Sequence, residues 1–352
     1  MNNYLSNNEL LDIKSKCDEY FIDLRRSIFN IYKQNEDIFK ILFHKQIKLH
    51  HSLLTKSDID ILLKCNIVFI NNQYIQSYHR INIFNKFIFL TDFVSNKMNR
   101  SFPYIDEGII QYKHFDKNIV SKLKDKSKIN AWDTSTGSAN PLIFIYDNFL
   151  KFNKNFKIYG TDINYRALIY GKINLLLNNI TSNTELILSN IDENLNKNLK
   201  FDYIWSNPPF ALSPKSDMLH SYGGKFGYEK TILFLEKIKE RLSEDGIAQI
   251  LTYSLGNINS IQIKRIIRKI YNSKFYNIKI EILNEKLWRF NEKKIFKNPM
   301  PIENIIIRAN DEYYNLEKIK SDDWLRYIKF LKQNNFTHLY YVLITVEKNK
   351  NK

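Results

Sequence analysis

The residues best suited to chemistry form one short string, Ser206-Asn207-Pro208-Pro209-Phe210. It follows an apolar run typical of a β-strand, and two consecutive prolines cannot donate ladder hydrogen bonds, so the strand must end there. The side-chain carbonyl of Asn207 and the backbone carbonyl of Pro208 can then accept hydrogen bonds beside the ring of Phe210. Two acceptors next to an aromatic face suit a planar NH2 group, whose hydrogens they hold while the ring stacks on it. A bare Asn-Pro-Pro string would be only a rigid turn; its position behind three other polar strand ends favours the chemical interpretation.

Three earlier strand ends carry the polar residues of a nucleotide-like cofactor site. Asp133 and Gly137 lie in a Thr/Ser/Gly turn between a strand and a helix, where backbone N–H groups can approach a ligand. Asp162 ends the next strand 29 residues later, where a carboxylate accepts hydrogen bonds from ribose hydroxyls. Asn190 follows the third strand and can bond an adenine edge. Taken singly, each could be a capping acid or a polar turn, so their order along the chain is what predicts a site.

These side chains need a sheet that brings its strand ends together, and the second part of the chain predicts one. Short apolar strands are predicted at residues 129–132, 156–159, 185–188, 203–206, 247–253, 277–283 and 338–346. Helical segments alternate with them at residues 141–149, 166–178, 229–242, 262–271 and 322–333. Such alternation predicts a parallel, doubly wound α/β sheet, into which the last strand could fit antiparallel.

The first part of the chain predicts a smaller domain of another kind. Residues 1–54 are expected to be helical, and a capping box formed by Thr55 and Asp58 opens a short further helix. A strand, a turn and a second, alternating strand are predicted next, at residues 67–70, 71–72 and 74–83. A helix followed by a β-hairpin resembles a winged helix, and a small cap with no binding role is the alternative. The predicted domains are a helical, winged-helix-like cap or substrate-recognition domain over 1–125 and a catalytic domain over 126–352.

In order and spacing, these elements resemble the class I S-adenosylmethionine (SAM)-dependent methyltransferases of the NPPF/NPPY type. Within that type they are similar to the "methyltransferase small domain" group, the release-factor glutamine methyltransferases and the adenine and guanine N-methyltransferases. The resemblance is carried by the strings GTDINYRALIYGKINLLLNN, FDYIWSNPPFALSP and YGGKFGYEKTILFLEKIKERLSEDGIAQIL. It spans residues 129–253 and, more loosely, 52–92 and 324–346. It implies a Rossmann-like, seven-stranded class I methyltransferase sheet, a smaller N-terminal domain and SAM as cofactor.

The resemblance also implies two sets of site residues. The cofactor-binding set comprises Asp133, Ser135, Gly137, Asp162, Asn190 and Asn207. The catalytic set comprises Asn207, Pro208 and Phe210. Ser135 and Ala139 stand where this type usually has glycine, and Asn190 stands where it often has Asp. Ser135 is therefore expected either to crowd the carboxylate end of SAM or to hydrogen-bond it.

The expected activity is methyl transfer from SAM to a planar amino or amide nitrogen of a macromolecule, either a protein glutamine or a nucleobase. Because the sulfonium is already activated, the protein needs to position the reactants more than to supply acid–base power, and no metal site is expected. Two alternatives stay open: a small-molecule N-methyltransferase of a biosynthetic pathway, and a degenerate protein that binds SAM without turnover. Glu229 is expected to order the loop over the substrate or simply to be an acid at a helix N-terminus.

The composition excludes some classes of partner but does not identify the partner. The net charge of +16 permits a nucleic-acid partner, although the excess of Lys with abundant Asn and Ile is also expected of an AT-rich genome. No apolar stretch approaches 18 residues, and the polar first residues lack a signal-peptide core, so no membrane partner is expected. Two cysteines, Cys17 and Cys65, are too few for a disulfide framework, which together with the rest predicts a cytoplasmic protein.

Overall fold

A computed structural model describes most of the chain. The described residues are 5–93, 100–101, 105–153, 155–180, 182–214, 221–283, 288–291, 294–296, 298–305 and 320–349. None of the helices in these ranges combines the length and the hydrophobicity needed to cross a bilayer.

The described helices and strands are numbered in chain order. The helices are α1 (Asn7–Gln34), α2 (Glu36–Phe43), α3 (Lys56–Lys64), α4 (Asp106–His114), α5 (Lys117–Leu123), α6 (Asn140–Leu150), α7 (Tyr165–Leu177), α8 (Glu229–Arg241), α9 (Gln262–Ile270) and α10 (Ser321–Gln333). The strands are β1 (Leu49–His50), β2 (Val68–Asn71), β3 (Tyr74–Ser77), β4 (Arg80–Phe84), β5 (Phe87–Thr91), β6 (Ile129–Asp133), β7 (Phe156–Asp162), β8 (Thr184–Leu188), β9 (Phe201–Ser206), β10 (Leu242–Asn257), β11 (Ser260–Ile261), β12 (Tyr276–Ile282), β13 (Trp288–Asn291), β14 (Lys294–Phe296), β15 (Met300–Pro301) and β16 (His338–Lys348).

The central sheet has the order β12-β16-β10-β9-β6-β7-β8, and the short strands β11 and β15 pair with β10 and β16. Strands β6 to β10 pair in parallel, whereas β16 runs antiparallel to both of its neighbours, β10 and β12. The predicted Rossmann-like α/β sheet and its antiparallel last strand are thus confirmed. The chain order reverses between β6 and β9, and open α/β sheets bind ligands beyond the carboxyl ends of the strands at such a point.

Helices cover both faces of this sheet because the adjacent strands β6 and β9 are apolar on both sides. Trp205 of β9 is fully buried in the core that includes α4, α6 and α10. Trp132 of β6 is fully buried in the opposite core, under α8 and α9. Each of these buried strands ends where polar residues begin. Because β6 and β9 are parallel neighbours, their polar ends lie at the same edge of the sheet.

The N-terminal elements share a third core with α7. Helix α1 lies along α7, and Ile169 and Tyr170 of α7 are buried among the apolar side chains of α1, α2 and α3. Half of the predicted capping box is present at the start of α3: the Thr55 hydroxyl accepts the Asp58 N–H at 3.1 Å, and it donates to the Asp58 carboxylate at 2.7 Å. Strands β1, β3 and β2 form a small antiparallel sheet in that order. The domain boundary at residue 125 stays a prediction.

Two asparagine side chains, one in α7 and one at its C-terminal cap, bind the β4–β5 hairpin to this helix. The Asn174 side chain accepts the Leu90 N–H at 2.7 Å and donates to the Leu90 carbonyl at 3.0 Å, so it pairs with β5 as a neighbouring strand would. One turn later, Asn178 does the same with Ile88, at 3.0 and 2.7 Å. The Asn174 amide also donates to the Ser138 carbonyl at 2.9 Å, which links this hairpin to the loop after β6.

The single strand predicted over residues 74–83 is wrong. It is two strands in two sheets, with β3 pairing with β2 and β4 pairing with β5. Between them the Ser77 hydroxyl accepts the His79 N–H at 3.1 Å and donates to the His79 carbonyl at 2.7 Å. These bonds turn the chain, and the buried His79 ring contacts the Tyr170 hydroxyl at 3.0 Å. The β4–β5 hairpin and helices α4 and α5 were not predicted.

Candidate active site

The loop from β6 to α6 has the backbone of a ligand-binding turn. Its first amide, that of Thr134, donates to the Trp205 carbonyl of the neighbouring strand at 3.1 Å. Gly137 and Ala139 both adopt positive φ angles, +52° and +64°, before α6 begins. A Cβ added at Gly137 would meet no atom within 4 Å, so this turn borders open space. Glycine is expected at such positions because only glycine adopts a positive φ without steric cost.

Asp133, at the end of β6, is a buried carboxylate that makes no hydrogen bond of normal geometry. Both of its oxygens lack such a partner among the described residues, and so does the neighbouring Thr136 hydroxyl. Burial raises the pKa of Asp133 to about 7 and the Asp162 charge also raises it, whereas the nearby Thr136 hydroxyl and the N–H groups of Leu142 and Ser135 lower it. An unpaired buried carboxylate is costly, and a ligand that donates hydrogen bonds or carries positive charge would remove that cost.

Asp162, at the end of β7, fixes the Gly137 turn. One carboxylate oxygen accepts the Gly137 N–H and the other accepts the Asn164 N–H, both at 2.8 Å. Burial raises the pKa of Asp162, and the N–H groups of Asn164 and Gly137 oppose that shift. Each carboxylate oxygen offers two acceptor sites, so the group retains the capacity to accept further hydrogen bonds from a ligand.

The loop after β6 is tied to the string after β9 by two side-chain bonds. The Thr134 hydroxyl donates to the Ser206 hydroxyl at 2.8 Å. The Ser135 hydroxyl donates to the Asn207 backbone carbonyl, also at 2.8 Å. Ser135, expected from the sequence to face the cofactor, thus has its hydroxyl engaged with the protein. Neither bond was predicted, because each joins residues 72 positions apart in the chain.

The Asn207 side-chain oxygen and the Phe210 ring lie in different surroundings. The Asn207 Oδ1 atom is buried and has no hydrogen-bond partner among the described residues. The Phe210 ring is 9% exposed and packs against Tyr253, with ring centroids 4.3 Å apart, and against Tyr341 at 5.8 Å. Tyr253 was not predicted as a site residue. The signal for it was an aromatic residue at the end of the strand predicted over residues 247–253, which is part of β10.

A glycine-rich loop packs directly on this string. The Gly223 N–H donates to the Ala211 carbonyl at 3.1 Å, and a Cβ added at Gly223 would lie 2.6 Å from the Phe210 Cα. Glu229, the first residue of α8, accepts the N–H groups of Phe226 at 2.9 Å and Tyr228 at 3.2 Å. Glu229 therefore orders the loop and also begins the helix, so the two interpretations of this residue are compatible.

Asn190 lies at the rim of this arrangement. It is exposed and donates to the Glu193 carboxylate at 2.7 Å. The residue before it, Ser189, donates its N–H to the Asp162 carbonyl at 2.9 Å, which places the end of β8 beside the end of β7. Asp192, in the same turn, forms a buried ion pair with Arg241 at 2.8 Å and therefore has a structural role.

The structure gathers the predicted residues at one edge of the sheet. Direct contacts join Asp162 to Gly137 and Ser135 to Asn207. The remaining predicted residues follow the same strand ends, at Asp133, Asn190, Pro208 and Phe210. The carboxyl ends of β6, β7, β8 and β9 thus form one continuous surface, with unpaired acceptors in β6 and just after β9.

One family of known proteins matches part of the sequence. The sequence profile of the N-6 DNA Methylase family matches residues 113–270, a little under half of the chain. No curated protein matches the sequence significantly.

Three solved structures are similar in fold: two are named as RNA methyltransferases, and the third is a complex with AdoMet. The M. jannaschii tRNA m1G37 methyltransferase is 13% identical with a TM-score of 0.41, covering 79% of this chain, which spans 61% of that protein. An rRNA methylase from Streptococcus thermophilus is 16% identical with a TM-score of 0.35; the match covers 66% of this chain and 96% of that protein. M. jannaschii TYW2 in complex with AdoMet is 13% identical with a TM-score of 0.42; the match covers 78% of this chain and 87% of that protein. The fold assignment rests on the strand order rather than on these structures.

The strand order, the polar strand ends and the family match define a SAM-dependent methyltransferase. Its cofactor is S-adenosylmethionine. The site fits that molecule in two respects: the Asp133 carboxylate has no protein partner among the described residues, and the turn at Gly137 borders open space.

Proposed function

We propose that this enzyme methylates the exocyclic amino group of a base in a nucleic acid, as an N-methyltransferase of the NPPF type. The observation that carries the proposal is the buried, unpartnered Oδ1 atom of Asn207, next to Pro208 at the strand end nearest the cofactor loop. The Pro208 carbonyl likewise accepts no hydrogen bond from the described residues. A planar NH2 group would satisfy both acceptors, which an apolar ligand would leave unpaired at a cost of about 1–3 kcal/mol each.

The proposed roles follow from this pair of acceptors. An aromatic or amide NH2 is a poor nucleophile because its lone pair is delocalised. Hydrogen bonds from its two hydrogens to Asn207 and Pro208 return electron density to the nitrogen, so that its lone pair is less delocalised into the ring and is free to attack. Bound SAM supplies a methyl group on an activated sulfonium. The amino nitrogen forms the new N–C bond as the sulfur–methyl bond breaks with its electron pair remaining on sulfur, and the surplus proton on nitrogen leaves to water.

The cofactor roles are part of the same proposal. Asp133 and Gly137 would line the methionine portion of SAM, and Asp162 would accept hydrogen bonds from the ribose hydroxyls. Asn190, at the rim, would have to release Glu193 to contact the adenine. Ser135 would act indirectly, through its bond to Asn207.

Two observations favour a nucleic acid over a protein glutamine or a small molecule. The matching family is described as N-6 DNA Methylase. The net charge of +16 supports association with a polyanion. We further propose that residues 1–125 form the cap or substrate-recognition domain and residues 126–352 the catalytic domain.

The test is methyl transfer from labelled SAM to DNA duplexes, single strands and RNA, compared with purified protein and a metabolite extract. Asn207→Ala should reduce turnover on the nucleic acid by about 100-fold or more and leave SAM affinity unchanged, as expected for one preorganised polar contact at a reacting centre. Asn207→Asp, which keeps an acceptor oxygen, should retain more activity. Asn198→Ala is the matched control because that side chain is exposed and precedes β9, at the opposite end of the strand from Asn207.

Each other result has a definite meaning. Labelled methyl groups in protein or in a metabolite, with none in nucleic acid, would show that the acceptor is not a nucleic acid. SAM binding without transfer to any acceptor would identify a degenerate enzyme. Normal turnover by Asn207→Ala would contradict the two-acceptor mechanism. The double-proline string would then serve only to end the strand.

A further inference from the structure

Helix α9 presents four basic side chains on one exposed face. Lys264, Arg265, Arg268 and Lys269 are all exposed and follow the i, i+1, i+4, i+5 spacing of a single helical stripe. The opposite face carries Ile263 and Ile267, buried in the core under α8 and β10. The helix has no acidic residue. Its apolar face therefore anchors it while its basic face, here called the α9 stripe, meets solvent.

The α9 stripe concentrates four positive charges on one helix face with no acid beside them. Several basic residues elsewhere pair with acids on their own helix, for example Lys40 with Glu36 at 2.8 Å in α2 and Arg326 with Asp323 at 2.6 Å in α10. In the part of the chain that the structure describes, no carboxylate lies within 4.0 Å of a stripe residue and no hydrogen bond engages one. Like charges at these spacings repel one another. A bound polyanion would relieve that repulsion.

The stripe begins beside the acceptor site. The Ile263 N–H at the start of α9 donates to the Ser254 hydroxyl at 3.0 Å on one face of β10. The adjacent residue of β10, Tyr253, packs its ring on Phe210 on the opposite face. Helix α9 also packs against α8, whose first residue, Glu229, holds the glycine-rich loop that lies against the double-proline string. A strand whose base enters the site thus passes close to the first residues of the stripe.

We propose that the α9 stripe binds the phosphate backbone of the nucleic acid whose base enters the acceptor site. This inference rests on the proposed function. Arg265 and Arg268 would each contact a phosphate with two parallel N–H groups, and Lys264 and Lys269 would contribute point charges.

The test compares two variants that each remove four positive charges. In the first, Lys264, Arg265, Arg268 and Lys269 are replaced by Gln. In the second, the control, Lys128, Lys197, Lys239 and Lys329 are replaced by Gln; these are exposed residues outside the proposed recognition domain that also have no acidic partner among the described residues. Fluorescein-labelled DNA duplex, its single strand and the matching RNA serve as probes between about 50 and 200 mM salt.

The stripe variant should raise Kd and KM for the methylated probe by roughly tenfold or more. The slope of log K against log salt should become shallower by about 0.7–0.9 for each phosphate that the variant no longer neutralises. SAM affinity and kcat at saturating nucleic acid should not change, because the stripe does not contact the reacting atoms. The control variant should show a much smaller effect.

Equal effects of the two variants, or a larger effect of the control, would overturn the proposed surface while leaving the proposed function intact. Methylation of nucleic acid by the wild type tests the proposed function separately. A wild type that neither binds nor methylates any probe would overturn both.

Discussion

The Ser135 hydroxyl donates a 2.8 Å hydrogen bond to the backbone carbonyl oxygen of Asn207. Ser135 belongs to the loop after β6 and Asn207 begins the string after β9, so this bond joins the cofactor side of the site to the acceptor side. A glycine at residue 135 could not make it. The serine therefore fixes the position of the Asn207 backbone. That position in turn determines where the Asn207 side chain and the carbonyl of the next residue, Pro208, lie.

Ser135→Ala should slow methyl transfer more than it weakens cofactor binding. A net hydrogen bond is worth about 1 kcal/mol, which corresponds to about a fivefold loss in kcat if the bond positions the acceptor. Steady-state kinetics and calorimetric SAM titration measure the two effects. Ser138→Ala, in the same loop, is the control. A large loss of SAM affinity with unchanged kcat would instead mean that the Ser135 hydroxyl contacts the cofactor.

Asp162→Ala should weaken SAM binding by tenfold or more. The expected loss is that of charge-assisted bonds to the ribose, about 1.5–3 kcal/mol each, and the Gly137 turn would also lose its 2.8 Å anchor. Asp162→Asn should fall between the wild type and Asp162→Ala because its amide oxygen can still accept one backbone N–H. Calorimetry measures the affinity, and circular dichroism checks the fold. Unchanged affinity in a folded Asp162→Ala protein would contradict the ribose assignment.

Phe210 has a packing role as well as its proposed stacking role, because its ring contacts Tyr253 and Tyr341. Phe210→Ala should therefore cost about 3–5 kcal/mol of unfolding free energy. Phe210→Leu keeps most of the volume and removes the aromatic face, so it should raise KM for a base acceptor by the equivalent of roughly 1–3 kcal/mol. Phe210→Tyr should be tolerated, since it keeps the ring face.

Phe149→Leu is the control for Phe210→Leu, because Phe149 is buried in α6 away from the acceptor string. Chemical denaturation should show a loss of stability in both leucine variants, and only Phe210→Leu should change KM. A KM that is the same in both would assign Phe210 to packing alone.

The parallel sheet and the positions of its polar ends could be predicted from the sequence. Alternating short strands and helices determine a parallel sheet, and the carboxyl ends of parallel strands meet at one edge. Asp133, Asp162 and Asn207 therefore had to lie near one another. The spacing along the chain was enough to predict that edge, because each of these residues directly ends or follows a buried strand.

The contacts between distant segments could not be predicted in this way. Asn174 pairs with the backbone of Leu90, 84 residues away, and a helical asparagine gives no local sign of such a partner. The chain turns at Ser77 because His79 is buried against α7, whereas alternation over residues 74–83 favours one continuous strand. Local pattern determines element type, and tertiary burial decides where an element must break.

Ala139 carries a backbone strain that a glycine would relieve. Its φ of +64° lies in the left-handed region, which costs an L-residue about 1–2 kcal/mol. Ala139→Gly should raise the unfolding free energy by about 1 kcal/mol in urea, less what is lost by removing the buried methyl group. Ala167→Gly, in the regular helix α7, is the control and should lower it by about 1 kcal/mol. Destabilisation by both changes would mean that packing of the Ala139 methyl outweighs the strain.

Asp133 should make stability and SAM binding depend on pH in opposite directions. Its folded pKa of about 7 lies above the unfolded value of about 3.9, so the folded state binds the proton more tightly. The resulting stabilisation is fully present below about pH 4 and is lost as the pH rises to about 7, by up to about 1.4 kcal/mol per pH unit. If SAM binds the ionised carboxylate, its affinity should rise over the same range by up to about tenfold per unit and level off above pH 7.

Asp133→Asn separates this effect from other titrations. Burial lowers the pKa of His44 and of His79 to about 4, so both contribute stability that increases with pH between about 4 and 6.5, in the wild type and the variant alike. The difference between the two proteins, measured by urea unfolding from about pH 5 to pH 8, therefore isolates Asp133. We expect the variant to gain stability relative to the wild type as the pH rises, and its SAM affinity to be nearly independent of pH. Parallel pH profiles for the two proteins would mean that the Asp133 carboxyl has an ordinary pKa in the folded protein.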